Sequence, residues 1–223
     1  MSKAIMIIAI DGPSGSGKST LGRMLARALN LLYIDTGSMY RAIALAVIEA
    51  SMDPSDKEAV TELAQRMDIN LEGDPDSLKV LLSGRDVTEQ IRSEIVTATS
   101  SIVSSIPGVR RAMVARQREM GKRGAVLNGR DIGTVVFPDA DMKFFLTASP
   151  EKRAERRFQE DLATNSSVTL AQTLTEMIER DRRDSTRADS PLKIADDAIV
   201  IDSTGLSIDE TFAELMKHVH RDH

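Results

Sequence analysis

Five short apolar runs punctuate the chain: residues 5–10 (Ile-Met-Ile-Ile-Ala-Ile), 31–34 (Leu-Leu-Tyr-Ile), 125–128 (Ala-Val-Leu-Asn), 142–147 (Met-Lys-Phe-Phe-Leu-Thr) and 198–201 (Ala-Ile-Val-Ile). They are nearly continuous rather than alternating, the pattern of strands covered on both faces. Elsewhere apolar residues recur at helical spacing, as Leu21, Met24, Leu25 and Ala28 do. Such patterns fall near 18–29, 38–50, 56–67, 108–121, 150–163, 169–186 and 207–218. Strands alternating with helices predict an α/β fold built on a parallel five-stranded sheet flanked by helices. In such sheets ligands sit at the carboxyl ends of the strands.

Residues 69–92 break the alternation. Ile-Asn-Leu-Glu-Gly and Leu-Lys-Val-Leu-Leu-Ser-Gly-Arg-Asp-Val read as short strands, with turn residues at Gly73-Asp74-Pro75-Asp76 and Ser83-Gly84. They predict a small antiparallel β insertion outside the main sheet. It is either a surface hairpin or a mobile lobe closing over a second substrate; position alone leaves both open.

Composition narrows the chemistry. The 223 residues carry a net charge of -5, so no bulk attraction to nucleic acid or to an anionic membrane is expected. Seven aromatic residues leave few stacking platforms for single-stranded nucleic acid. The 20 Arg outnumber the 9 Lys, which suits small anionic substrates gripped in a cleft, because the guanidinium forks onto phosphate and carboxylate. Without cysteine there are no disulfides, thiol nucleophiles or thiolate metal sites. Three His, at 218, 220 and 223, leave little for a zinc site, and the last of them read as part of a tail. No apolar run approaches the ~20 residues needed to span a bilayer. The N-terminus reads as the first strand rather than a signal peptide. A cytoplasmic protein is expected, with monomer as the default state.

The first apolar run leads straight into Gly12-Pro13-Ser14-Gly15-Ser16-Gly17-Lys18-Ser19, a complete G-x-x-x-x-G-K-S phosphate-binding loop, and a helix follows. Its glycines let successive N–H groups approach phosphate oxygens, and the helix adds the positive end of its dipole. Lys18 supplies charge to the β- and γ-phosphates, and the Ser19 hydroxyl is placed to ligate Mg²⁺. The nucleotide-binding set therefore runs from Gly12 through Thr20.

Three further constellations follow. In Asp35-Thr36-Gly37-Ser38-Met39-Tyr40-Arg41, Thr36 is placed to cap a helix beginning near Ser38, and Arg41, about one turn in, can clamp an anion. Asn128-Gly129-Arg130-Asp131 ends a core strand, where site residues collect. Arg180, Asp184 and Arg187 are spaced by four and three, which puts them on one helix face able to hold a phosphate and a ribose hydroxyl together. Arg153, Arg156 and Arg157 head the preceding helix, joined to this one through Thr164-Asn165-Ser166-Ser167. Two Arg-rich helices around a polar turn read as a lid closing over phosphates; the alternative is a solvated helical hairpin.

These motifs, D-G-P-S-G-S-G-K-S-T, D-T-G-S-M-Y-R, G-R-D-I-G-T-V-V-F-P and E-R-D-x-R-D-x-x-R in this order, resemble those of the bacterial cytidylate (CMP/dCMP) kinases. The resemblance implies a P-loop NTPase core at about 1–62, 100–150 and 188–223, an NMP-binding β insertion at about 63–99 and a helical lid at about 151–187. It implies phosphorylation of CMP and dCMP by ATP with Mg²⁺. Thr36, Arg41 and Arg130 would hold the monophosphate, and Ser101, Arg110, Asp131 and Arg187 would read cytosine. Arg180 and Asp184 would hold the phosphate and ribose side, and Arg153 and Arg157 would be lid arginines. Lys18, Arg130, Arg157 and Arg180 would carry catalysis by neutralising charge, with Ser19 as the metal residue. Ser100-Ser101 and Arg110-Arg111 each admit a slip of one. Asn128 stands where the family often has an acidic residue, so an indirect Mg²⁺ contact is not implied there.

Two other readings fit parts of the chain. A different small-molecule kinase, for UMP/CMP, shikimate or gluconate, would share the phosphate loop and differ in the acceptor. A GTPase-type switch would want N-K-x-D; residues 128–131 have the ends of that motif with Gly in place of Lys.

Overall fold

In the computed structural model of the chain, which describes residues 5–163 and 168–219, β1 (Ile7–Asp11) runs into the phosphate loop and α1 (Lys18–Leu29). β2 (Leu32–Asp35), α2 (Thr36–Glu49) and α3 (Lys57–Arg66) follow. Next come β3 (Ile69–Glu72), β4 (Lys79–Leu82) and β5 (Arg85–Asp86), then α4 (Glu94–Val103) and α5 (Pro107–Gly121). The chain continues through β6 (Ala125–Gly129), β7 (Met142–Thr147), α6 (Pro150–Ala163), α7 (Leu170–Thr186), β8 (Ile199–Asp202) and α8 (Ile208–Val219).

Five strands form a parallel sheet in the order β2-β6-β1-β7-β8, and β3-β4-β5 form a separate antiparallel sheet. Both follow the predicted pattern. The insertion turns where Ser83 and Gly84 adopt left-handed backbone, at φ 49° and 79°.

Side-chain alternation sorts the sheet into two cores. Ala9, Ile34, Ala125 and Leu127 pack with the buried faces of α2, α3, α4 and α5. Ile8, Ile10, Tyr33, Val126 and Phe144 pack with α1 and α8. Full burial of each Leu or Ile side chain contributes about 2 kcal/mol. The two layers clamp β1, so the loop that follows it leaves a rigid strand.

Register then places the site. Asp11 lies opposite Gly129, Asp35 opposite Asn128 and Asp11 opposite Phe145, so the carboxyl ends of β1, β2, β6 and β7 form one edge. Gly12 turns there at φ 148°, and a Cβ on it would stand 2.0 Å from the Leu146 carbonyl oxygen. Gly12→Ala is expected to destabilise the fold by about 3 kcal/mol, the upper end for overpacking, because the obstacle is backbone. Chemical denaturation of both proteins, with nucleotide binding followed alongside, checks this.

Several expectations are corrected. The Asp35 carboxylate, not Thr36, caps α2, accepting from the Ser38 N–H at 3.3 Å; the helix starts at Thr36 and the Thr36 hydroxyl donates instead to the Asn128 carbonyl at 2.8 Å. α4 was not predicted, and neither was the wide turn of helix at Ile132–Val136. Arg187 sits just beyond α7 in extended backbone rather than on its face. His218 is within α8, as the helical pattern at 207–218 predicts, with its ring edge-on to Phe144 at 6.4 Å. His220, His223 and the polar turn 164–167 lie outside the described residues. Among the described residues no helix is long and apolar enough to cross a membrane.

Candidate active site

The phosphate loop is held in shape from below and above. Gly15 and Gly17 adopt φ 71° and 90°, and Gly17 caps α1 without a side chain. Lys18 is buried, and its Nζ donates to the Pro13 carbonyl at 2.5 Å and to Ser16 Oγ at 3.2 Å, closing the loop around the ammonium. Burial, and then the nearby Arg130 charge, hold the Lys18 pKa well below the usual lysine value. A phosphate anion in the loop would relieve both. Ser19 is exposed at the helix start and Thr20 is half-buried beside it. The Asn128 amide donates to Ser19 Oγ at 3.0 Å, which leaves Asn128 Oδ1 buried and without a hydrogen-bond partner.

Arg153, expected as a lid arginine facing phosphate, is buried and committed to the protein. It donates to the Ala148 and Ser14 carbonyls, both at 3.0 Å, and to the Asp181 carboxylate at 2.5 Å. Asp181 also accepts from the Ser14 N–H at 3.3 Å. Arg153 and Asp181 therefore brace the loop tip against α6 and α7. Sequence reasoning missed Asp181, whose signal was its place among the charges of the same Arg-rich helix. Arg157 pairs with Glu160 at 3.4 Å on the exposed side of α6.

A second cationic group faces the loop from the ends of β2 and β6 and from α7. Arg41 Nη2 is 3.3 Å from Asp35 Oδ2, while its Nε is buried without a partner. Arg130 Nε donates to Asp184 Oδ2 at 2.9 Å. Burial disfavours the Asp184 charge, but Arg130, Arg180 and Arg187 together outweigh it and hold the carboxyl below the usual range. Arg180 is different. Among the described residues it makes no hydrogen bond or ion pair, and burial followed by the Arg130 charge lowers its pKa to about 10, with Arg41 and Arg157 adding to the effect. An unpaired guanidinium among other cations is costly to the fold and is what an incoming anion would satisfy.

Beyond this group lies a buried ion pair. Arg110 Nη2 donates to Asp131 Oδ2 at 2.5 Å, Arg110 Nη1 donates to the Ser104 carbonyl at 3.1 Å, and the guanidinium stacks 5.5 Å from the Tyr40 ring centroid. Asp131 Oδ1 is 3.9 Å from Arg187 Nη2, beyond hydrogen-bond reach, and that Arg187 nitrogen has no other partner. Arg187 is fixed by its Nε bond to the Ser190 carbonyl at 2.6 Å and by Asp184 at 3.5 Å. Of the two neighbouring arginines, Arg110 is the one on Asp131; Arg111 is exposed and reaches Asp189 at 4.0 Å. Ser101 is half-buried on α4 and Ser100 is buried with its hydroxyl on the Thr97 carbonyl, so neither is brought to Asp131 by a hydrogen bond.

A phosphate loop at the end of a central parallel strand, facing a second basic cluster across the same sheet edge, defines a P-loop kinase acting on a small anionic acceptor. The chain belongs to the cytidylate kinase family: the model described as "Cytidylate kinase" matches residues 8–221. Relatives described by the same words include proteins of Geobacter sp. (strain M21), 47% identical over 95% of this chain and 91% of its own, and Desulforamulus reducens, 51% identical over 96% of each. A third, from Mycobacterium avium, is 47% identical over 97% of this chain and 94% of its own length.

Proposed function

We propose that the enzyme transfers the γ-phosphoryl group of ATP directly and in line to CMP or dCMP, giving ADP and CDP or dCDP. Family membership supports the reaction. The observation that carries the site is a set of donors without acceptors across from the phosphate loop: the buried Arg41 Nε and Arg187 Nη2, and the half-buried Arg180 guanidinium, which has no hydrogen bond or ion pair among the described residues. An acceptor phosphate already carries negative charge at pH 7, so no general base is required. Positioning and charge neutralisation carry catalysis.

Gly12 through Thr20 hold the ATP phosphates, with Lys18 released from Pro13 and Ser16 to the incoming oxygens. Arg41, Arg130 and Arg180 fix the acceptor phosphate, with Thr36 at the same strand end. Lys18, Arg130, Arg157 and Arg180 neutralise charge as the phosphoryl group moves. Asp184 serves the ribose side. Ser101, Arg110, Asp131 and Arg187 serve the base: Arg110 occupies Asp131 Oδ2, and Asp131 Oδ1 remains an acceptor for the 4-amino group of cytosine. Uracil offers a carbonyl there, which would leave the buried Asp131 Oδ1 facing an acceptor with no donor of its own. Mg²⁺ supplies further neutralisation at the phosphates. Ser19 would hold it, and the unpartnered Asn128 Oδ1 beside Ser19 fits an ion that arrives with its hydration shell. Arg153 serves ATP by shaping the loop tip. Residues 151–187 act as the lid and 63–99 as the acceptor-side insertion on a core of 1–62, 100–150 and 188–223. The enzyme works in the cytoplasm as a monomer.

A coupled ADP-release assay tests this with Mg·ATP and CMP, dCMP, UMP, AMP, GMP, shikimate or gluconate as acceptor. Strong turnover with CMP and dCMP and little with UMP is expected. Turnover confined to another acceptor would overturn the cytosine reading, and hydrolysis independent of any acceptor would overturn the kinase reading.

A further inference from the structure

Asp11 ends β1 immediately before the phosphate loop, and both its oxygens accept from the segment that follows β6. Oδ1 accepts from the Ile132 N–H at 2.9 Å and Oδ2 from the Gly133 N–H at 2.8 Å. These are the two amides directly after Asp131. The Asp131 carbonyl in turn accepts from the Val135 and Val136 N–H groups at 2.9 and 3.1 Å, closing the wide helical turn of 132–136. Asp131 itself is outside that turn, at φ -144° and ψ 24°. The backbone around Asp131 is therefore gripped on its carboxyl side, and the grip comes from the strand that carries the phosphate loop. Gly133 admits it: a Cβ there would approach Lys143 carbons at 3.1 and 3.2 Å and Asp11 Oδ2 at 3.5 Å.

Few groups can do this. A carboxylate accepts two N–H bonds side by side, whereas a carboxamide of the same size accepts one and sets a donor against the other. Burial pushes the Asp11 pKa up to about 6 against the lowering effect of the Gly133 and Ile132 N–H groups, and Asp131 adds to the rise.

We propose that Asp11 is the positioning residue for Asp131: it fixes the peptide that follows Asp131, so that the carboxylate and its Arg110 partner stand at a set distance from the phosphate loop and select the acceptor base. This rests on the cytosine reading above. Asp11 touches neither phosphate nor base in this role; it acts through residues 131–133.

The test compares wild type, Asp11→Asn, Asp131→Asn and the double variant with saturating Mg·ATP, measuring kcat and KM for CMP and UMP, KM for ATP and the thermal midpoint. Asp11→Asn is expected to lower the CMP-to-UMP ratio of kcat/KM about tenfold, through KM for CMP, with KM for ATP within about twofold of wild type. The double variant should discriminate no worse than Asp131→Asn alone. An Asp11→Asn enzyme with wild-type discrimination would overturn the proposal, as would KM values for ATP and CMP rising together. A wild type with no preference for CMP would instead overturn the cytosine reading, and this proposal with it. Where Asp11→Asn does not fold, Asp11→Ser, which sets no amide donor against Ile132 and Gly133, carries the same comparison.

Discussion

Arg180→Ala is expected to lower kcat/KM for CMP on the order of a thousandfold, the size of effect seen when a charge-stabilising donor is removed from a phosphoryl-transfer site. Affinity for ATP should stay within about threefold of wild type, because the phosphate loop and Lys18 are untouched. Stability should hold or rise. Arg180 has no ion pair among the described residues, and burial with neighbouring Arg130, Arg41 and Arg157 already lowers its pKa to about 10. Deleting such a group removes the repulsion from Arg130, Arg41 and Arg157 along with the attraction to Asp184, and burial with the repulsion outweighs that attraction. Arg180→Lys should rescue little, since a point charge on a flexible stem does not reproduce the guanidinium fork. Steady-state kinetics, equilibrium ATP binding and thermal unfolding on the three proteins check the pattern. Loss of ATP binding in step with turnover, or a large fall in thermal midpoint, would remove Arg180 from the acceptor site.

Asp131→Asn is expected to do the reverse on stability and more on activity. The Arg110 and Asp131 side chains are 2% and 6% exposed, so removing one charge leaves the other buried without its partner. Breaking such a pair costs about 3–5 kcal/mol. On activity, kcat/KM for CMP should fall on the order of ten-thousandfold, the scale on which a site built around a hydrogen bond rejects a mismatch. UMP should suffer far less, because the new amide can donate to the uracil carbonyl. The ratio of the two acceptors is the decisive readout; an equal loss with CMP and UMP would assign Asp131 to structure alone.

Much of this architecture is legible in the residues. The strand ending at Asp11, the glycines at 12, 15 and 17 and the helix from Lys18 announce one another through purely local physics. The apolar runs mark the sheet because parallel strands are covered on both faces. What escapes is what distant partners decide. α4 buries Val96, Thr99, Ser100 and Val103, which is helical spacing, but Thr and Ser on the buried face conceal it. The turn at 132–136 has no local mark, since its first two amides are held by Asp11, 121 and 122 residues away in the chain. Asp35 outcompetes Thr36 as cap because the Thr36 hydroxyl is drawn across to the Asn128 carbonyl. Arg153 reads as a free lid cation until its packing against Ser14 and Asp181 is seen.

The chain has two Tyr and no Trp, and both Tyr are buried at the site. Tyr33 packs against Gly22 of α1 on the nucleotide side, and Tyr40 lies beneath the Arg110 guanidinium on the acceptor side. The protein's tyrosine emission therefore originates at two points only, and no Trp masks it. A single Tyr→Phe exchange at either one leaves an unlabelled optical reporter for the other half of the cleft, so the filling of each half can be timed separately in the unmodified fold.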